Sequence, residues 1–229
     1  MSSGKLAIID FGTRHINSLI SLVHQYLSDD EIRIVRVTWP GAEIRTLKFD
    51  IPDVEYVRNR FELSHLRESD VGIILTGSPD TVGSNKGYRS MSDDIYYEFD
   101  KPMLCISYAH HLISTLVDPN CHMIPRGERG RTMLLPHPDA MKDDIFKNLP
   151  PGFLVSNYHD WAISKIPRGF HLLGETRGAQ SVISAIKHDF KPIYSFQFHP
   201  EIPVSGYWSG PDIVSHFVRQ SIPQRVTVQ

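Results

Sequence analysis

The chain contains little cysteine, little net charge and no long apolar run. Its 229 residues include two cysteines and carry a formal net charge of −2. Two cysteines are too few for a disulfide framework, and a nearly neutral chain has no overall field that would attract nucleic acid or an anionic membrane. No apolar stretch approaches the roughly 18 residues of a membrane span, and the N-terminus shows no signal-peptide pattern. We therefore expect a cytoplasmic protein that binds neither nucleic acid nor membranes.

Signatures of cofactor and metal binding are also missing. The turn Gly77-Ser78-Pro79 lacks the glycine spacing of a loop that cradles phosphate. The adjacent pair His110-His111 falls in a helical pattern, where neighbouring side chains point about 100° apart and cannot easily share one ion. We expect no cofactor and no metal site. The arginines at 126, 129 and 131 could grip a partner or an anionic substrate, but such a cluster is more often part of a solvated loop, which is the interpretation that we favour.

Short apolar runs alternate with helical patterns in the first half of the chain. The predicted strands are residues 5–10, 32–37, 71–76 and 102–106. The predicted helices are residues 14–27, capped by Thr13, and 107 to about 116. This alternation predicts an α/β fold, a doubly wound and mostly parallel sheet flanked by helices, as in flavodoxin-like proteins.

The pattern changes after residue 118, where proline and glycine become frequent. Strand-like pieces at 153–156, 171–175 and 182–187 predict a small antiparallel addition, and the run 193–198 would return to the main sheet. Residues 212–220 predict a closing helix. We find no repeat or linker, so we predict a single domain over residues 1–229, with a loose tail at 224–229.

Two short strings, far apart in the chain, resemble the halves of one catalytic site. Residues 104–111 read as a strand that turns sharply into a helix, with Ser107 at the turn. A second apolar run ends in His199-Pro200-Glu201. A nucleophile on an elbow, a histidine base and a carboxylate that orients the base form the logic of a catalytic triad. Taken alone, Ser107 is more simply a helix N-cap, and the His-Pro-Glu string favours the catalytic interpretation.

These motifs resemble those of class I glutamine amidotransferases, most closely the glutaminase part of GMP synthetases. The resemblance covers nearly the whole chain. The matching segments are Asp-Phe-Gly at 10–12, Gly-Ile-Ile-Leu-Thr-Gly-Ser-Pro at 72–79, Glu-Arg-Gly at 128–130, Asn-Tyr-His-Asp at 157–160 and Gln-Phe-His-Pro-Glu at 197–201. The last segment and the Gly77 loop are specific in combination, although each alone is weak.

The resemblance implies a function and a role for each matching position. The function is hydrolysis of a carboxamide, glutamine or a related small amide, through a covalent acyl-enzyme that releases ammonia to a separate synthetase or acceptor chain. The implied catalytic residues are Ser107 at the nucleophile position, His199 as base and acid, and Glu201 as orienter. The implied oxyanion donors are the N–H groups of Ser78 and Tyr108. The implied substrate-binding residues are Gly77, His111, Tyr158, His159 and Asp160.

The chain also departs from the family pattern at the elbow. The family reads Gly-Ile-Cys-Tyr-Gly-His-Gln, whereas residues 105–111 read Cys-Ile-Ser-Tyr-Ala-His-His. Serine therefore replaces the nucleophilic cysteine, and His111 replaces a glutamine that helps to hold the substrate. Asp160 replaces the usual serine or glycine and would repel an α-carboxylate unless a cation such as protonated His111 offsets it. Glutamine itself is therefore in question as the substrate.

Three explanations of Ser107 remain open from the sequence. Serine could stand in for a catalytic cysteine in a substituted form that retains bound substrate. The chain could be a natural, catalytically silent glutaminase-like module that binds a ligand or a partner. It could also be a serine hydrolase with a Ser-His-Glu triad, in which His199 removes the hydroxyl proton during attack.

Overall fold

The structure is a computed structural model and describes residues 4–39, 44–79, 91–178, 180–202 and 210–222. Within these ranges one ten-stranded sheet carries helices on both faces. The strands are β1 (Lys5–Asp10), β2 (Ile32–Thr38), β3 (Val54–Arg58), β4 (Asp70–Leu75), β5 (Met103–Ile106), β6 (Met123–Pro136), β7 (Phe153–Ile163), β8 (Phe170–Arg177), β9 (Ser181–His188) and β10 (Ile193–Phe196). The helices are α1 (Ile16–Val23), α2 (Asp93–Glu98), α3 (Tyr108–Val117) and α4 (Gly210–Ser221). The predicted tail at 224–229 lies outside the described residues.

The strand order is β3-β2-β1-β4-β5-β10-β9-β8-β6-β7. The strands from β3 to β10 in this order pair in parallel and form the parallel half, whereas β9, β8, β6 and β7 add antiparallel strands that form the antiparallel extension. The order reverses between β1 and β4, and in such sheets ligands bind outside the carboxyl ends of the strands at this point. The predicted fold class, a mostly parallel sheet with an antiparallel addition, is confirmed.

Alternating side chains of the buried strands supply two separate cores. On β1, Leu6 and Ile8 pack with α1 and α4 on one face of the sheet, and Ala7 and Ile9 pack with α2 and α3 on the other. All four side chains are fully buried. Burial of a large aliphatic side chain contributes about 1.5–3 kcal/mol, so the two cores fix the strand ends against the helices that follow them.

The first helix is shorter than predicted. It spans Ile16–Val23, and His15 rather than Thr13 is its N-cap. The Asp10 carboxylate accepts hydrogen bonds from the N–H groups of Gly12 and Thr13, and the Thr13 hydroxyl accepts one from the N–H of His15. These local hydrogen bonds hold residues 10–15 in a turn, and the helix therefore begins only at Ile16.

The longest strand was not predicted. β6 runs through prolines and glycines that disfavour strands. Its pairing with β7 is interrupted by an irregularity between Pro125 and Glu128, and it pairs with β8 only from Met133 to Pro136. Pro125 therefore has a neighbouring strand on one side only, which is the edge position where strands tolerate proline.

Candidate active site

Ser107 occupies a strained turn between β5 and α3. Its φ of 53° and ψ of −102° lie in a region that residues with a side chain rarely adopt. Its N–H donates to the carbonyl of Phe196 at 2.7 Å, which ties the turn to β10. The serine side chain makes no capping hydrogen bond to α3. Ser107 therefore occupies the N-cap position of α3 without capping the helix through its side chain, and its strained geometry is typical of a nucleophile elbow.

His199 and Glu201 form a buried pair just beyond the carboxyl end of β10. His199 Nδ1 lies 2.8 Å from Glu201 Oε1, and the side chains are 8% and 2% exposed. Since a carboxylate only accepts hydrogen bonds, Nδ1 carries the proton of this contact and Nε2 is left to exchange a proton with a substrate. The N–H of His199 donates to the carbonyl of Ser156 on β7 at 2.8 Å.

Ser107 and His199 border the same glycine and line the same cavity. A methyl group placed on Gly77 would lie 3.0 Å from His199 Cε1 and 3.5 Å from Ser107 Cβ. Among the described residues no hydrogen bond joins the Ser107 hydroxyl to His199; such bonds are often long without substrate. The cavity, of about 530 Å³, is lined by Thr13, Arg14, His15, Ser78, Pro79, Ser107, Tyr108, His111, Arg129, Tyr158, His159, Asp160, Trp161 and His199.

The structure brings most of the predicted site residues to this cavity. Ser78, Tyr108, His111, Tyr158, His159 and Asp160 line it together with Ser107 and His199. Gly77 borders both catalytic candidates, and Glu201 lies behind His199. Tyr108 is the first residue of α3, so its N–H stands at a helix N-terminus, where the helix dipole favours a developing negative charge.

The idea that protonated His111 offsets Asp160 is wrong. Burial lowers the pKa of His111 to about 4, although its hydrogen bond to Gln197 acts in the opposite direction. The neutral ring contacts Gln197 Oε1 at 2.6 Å. The partner of Asp160 is instead Arg129, whose Nη2 lies 2.6 Å from Asp160 Oδ1. Arg129 was predicted to lie in a solvated loop, but it belongs to β6 and lines the cavity.

His15 is another cavity residue that the sequence did not single out. Its ring packs edge-on against the ring of His199, with centroids 5.3 Å apart. Burial lowers the pKa of His15, whereas the nearby Glu201 carboxylate raises it. The sequence did contain a signal for His15. It follows the Asp10 turn, which comes directly after the carboxyl end of a predicted strand, and ligands of such sheets bind at these strand ends.

A buried polar layer lies behind His159. Glu128 Oε2 accepts hydrogen bonds from Asn157 Nδ2 at 3.1 Å and Thr176 Oγ1 at 2.9 Å, and His159 Nε2 lies 3.8 Å from it. Glu128 and His159 face each other across β6 and β7. This layer fixes the strand segment that carries Tyr158 and Asp160.

Cys105 is not a second nucleophile. It is fully buried on β5, and burial raises the pKa of its thiol far above the usual value. A thiol must ionise to react.

Within the described ranges no group of three or more His, Cys, Asp or Glu side chains could hold a metal ion, and no described helix has the length and apolarity to cross a membrane.

Comparison with known proteins identifies the family. The model of class I glutamine amidotransferases matches residues 15–220. The chain belongs to this family. It is 31% identical over 174 residues to the glutamine-hydrolysing GMP synthase subunit of Thermococcus kodakarensis, covering 76% of this chain and 88% of that protein. It is 30% identical over 215 residues to the GMP synthase of Streptococcus pyogenes, covering 93% of this chain but 35% of that protein.

A solved structure has the same fold. A protein of Thermoplasma acidophilum described as a GMP synthase subunit superimposes with a TM-score of 0.71, at 19% identity over 96% of this chain and 95% of that one. As a class I glutamine amidotransferase, the present chain carries Ser107 at its elbow and an Arg129–Asp160 ion pair at its cavity.

Proposed function

We propose that the chain hydrolyses the carboxamide of glutamine or of a related small amide through a covalent acyl-enzyme on residue 107, releasing ammonia. The observation that carries the proposal is the strained elbow of Ser107 beside the His199–Glu201 pair, in one cavity at the carboxyl ends of the strands. The membership of the family supports the same reaction class.

The reaction needs one proton shuttle. The residue 107 side chain attacks the amide carbon, and its proton passes to His199 Nε2. His199 then gives that proton to the departing nitrogen, so that ammonia leaves and an acyl group stays on residue 107. Water, deprotonated by His199, releases the acid and restores the side chain. Glu201 holds the Nδ1 proton of His199 throughout and stabilises the imidazolium.

The developing oxyanion needs N–H donors above the elbow. We assign the N–H groups of Tyr108 and Ser78 to this role. Both residues line the cavity with Ser107, and the N-terminus of α3 adds a favourable dipole at Tyr108. Loss of one such donor in other hydrolases costs roughly 10²–10³ in kcat.

Serine makes this reaction harder than cysteine does. A neighbouring histidine leaves a cysteine ionised at neutral pH, whereas a serine hydroxyl must lose its proton during the attack. A site shaped for a thiolate rarely suits that transfer, because a misplacement of about 1 Å can cost roughly a hundredfold in rate. We therefore expect the Ser107 form to be slow and the Ser107→Cys form to be fast.

Relatives that are named as one part of a GMP synthase suggest that the ammonia acceptor is a separate chain. The Streptococcus pyogenes relative, of which the present chain covers 35%, is named as a whole GMP synthase, and a synthetase chain is therefore the candidate acceptor. The substrate would therefore enter as a small amide, and ammonia would leave to an acceptor protein.

The test is ammonia release from L-glutamine and a panel of small amides by the unsubstituted chain, by Ser107→Cys and by Ser107→Ala. Activity in the Cys form alone supports hydrolysis with a substituted nucleophile. Activity in the Ser form that disappears in the Ala form supports a serine hydrolase. Because a missing partner chain could also silence an amidotransferase, silence of all three forms overturns hydrolysis when a glutamine chloromethyl ketone also fails to label residue 107 of the Ser107→Cys form, and it then leaves the silent binding module.

A further inference from the structure

A second cavity borders Glu201, the carboxylate that holds His199. Its volume is about 510 Å³, and it lies between α1, residues 48–49 and α4. Among the described residues Glu201 lines this second cavity and not the catalytic one, whereas His199 lines the catalytic cavity alone. The carboxylate behind the proposed base therefore borders a space that the proposed reaction does not use.

One oxygen of Glu201 has no partner. Oε1 accepts the Nδ1 proton of His199 at 2.8 Å. Oε2 is buried and has no hydrogen-bond partner among the described residues, in a side chain that is 2% exposed. A buried carboxylate oxygen without a donor is unfavourable, so its presence needs an explanation. Because Oε1 faces His199, Oε2 is the oxygen that Glu201 can offer to a donor in the second cavity.

The lining of the second cavity combines negative charge with an apolar wall. Asp212, exposed in the first turn of α4, adds a second carboxylate, and the described lining contains one cationic side chain, Lys48. Leu22, Tyr26 and Phe49 are half-buried and supply the apolar wall. Two carboxylates beside an apolar wall favour a ligand that carries a cationic N–H group on an apolar body.

We propose that the second cavity binds a small organic cation, an ammonium group on a short apolar body, which donates a hydrogen bond to Glu201 Oε2. The ammonium group supplies the donor that Oε2 lacks, and Asp212 adds a second attraction for its charge. The apolar body packs against Leu22, Tyr26 and Phe49. The site is separate from the cavity in which the amide would react.

The bound cation should weaken the base. When His199 takes up the proton of residue 107 it becomes an imidazolium, which Glu201 stabilises. A positive charge at Oε2 opposes a second positive charge held by the same carboxylate. Occupation of the second cavity should therefore lower kcat and leave amide binding unchanged. This consequence rests on the proposed function, whereas the binding itself does not.

The binding test compares three probes that share one body and differ in charge: 2-phenylethylamine, 2-phenylethanol and 3-phenylpropionate. Calorimetry measures their binding to the unsubstituted chain and to Glu201→Gln, Asp212→Asn and Asp94→Asn. Asp212 is exposed, so its replacement does not threaten the fold. Asp94 lies in the first turn of α2, is exposed and lines neither cavity, so it is the matched control for Asp212.

We expect 2-phenylethylamine to bind at millimolar concentration and about tenfold more tightly than the other two probes. Glu201→Gln should weaken its binding about tenfold, and Asp212→Asn about threefold because that carboxylate is exposed. Asp94→Asn should change nothing. Equal binding of the three probes, or unchanged binding of the amine in both Glu201→Gln and Asp212→Asn, would overturn the inference.

The kinetic test uses the Ser107→Cys form. Saturating 2-phenylethylamine should lower kcat for L-glutamine about tenfold at constant KM, and 2-phenylethanol should not. A rise in KM alone would place the amine in the catalytic cavity, and binding without a change in kcat would exclude the contact with Glu201; either result overturns the inference. If this form releases no ammonia, the proposed function fails, and the loss of amine binding in Glu201→Gln still decides whether the second site exists.

Discussion

The two parts of the sheet contribute different things to the same cavity. The parallel half supplies the residues that we propose to react, Ser107 after β5 and His199 with Glu201 after β10, and all three side chains are buried. The antiparallel extension supplies Arg129 and Asp160, which are exposed. Buried groups at strand ends are held in position by two cores, whereas exposed groups can vary without loss of stability. The proposed chemistry therefore lies on strand ends that the cores hold rigidly, whereas the exposed pair can be replaced at little cost to the fold.

The largest effect should come from the base in the parallel half. In the Ser107→Cys background, His199→Ala should lower kcat by roughly 10³ or more, because the proton shuttle is lost. The dissociation constant of L-glutamine should change little, since His199 acts on the amide rather than on the amino acid head.

His122→Ala is the control for this change, because His122 is exposed and does not line the cavity. Ammonia release measures the rate and calorimetry measures the binding. If the variant without His199 keeps its rate, the assignment of the proton transfer to the parallel half of the sheet is wrong.

Glu201→Gln should have the next largest effect. An amide of the same shape cannot stabilise the imidazolium of His199, so kcat should fall at least a hundredfold while KM stays nearly constant. The measurement is a KM and kcat comparison in the Ser107→Cys background. A change confined to KM would show that Glu201 shapes the pocket instead of orienting the base.

Gly77→Ala should cause a smaller loss. The added methyl would meet His199 Cε1 at 3.0 Å and force a shift of a few tenths of an ångström, and we expect about a tenfold fall in kcat. Gly152→Ala is the matched control, because its added methyl would meet the flexible end of Leu135 at 3.1 Å, outside the cavity. Equal rates for the two variants would mean that the spacing beside His199 is not critical.

The last expected effect is on stability rather than on a rate, and it is a dependence of stability on pH. The pKa of His111 is about 4 in the folded chain and about 6.5 when unfolded. The unfolded chain therefore binds more protons between these values, so stability present above about pH 6.5 is lost as the pH falls towards 4. His111→Gln should remove about 2 kcal/mol of the loss between pH 7 and pH 5. Urea unfolding at the two pH values tests this, and an unchanged pH dependence in the variant would show that His111 is not buried as a neutral ring.

The strand ends of the parallel half could be predicted because their signals are local. The apolar run before Ser107 and the helical pattern after it are continuous in sequence, and β1 has the predicted bounds. β3 and α2 were missed because they are short and carry little periodicity; only Val57 of β3 and Ile95 of α2 are buried.

The antiparallel extension was harder to predict because its signals depend on pairing. The prolines and glycines of β6 disfavour a strand, so the sequence does not predict one there. The register of β6 with β7, which the sequence does not give, places Arg129 opposite Tyr158 and beside Asp160. The neutral state of His111 likewise follows from burial, which no local pattern reveals. Asp160 could be assigned to the cavity from the family resemblance, whereas its partner Arg129 could be placed there only by the structure.

The most direct test of the account is labelling of the Ser107→Cys form with a glutamine analogue that carries a chloromethyl ketone in place of its amide. Intact mass and peptide mapping would locate the label. The account predicts one label, on residue 107, and loss of labelling when His199 is also replaced by alanine. Labelling of the buried Cys105 or Cys121 in preference to residue 107, or labelling at 107 that does not depend on His199, would contradict it.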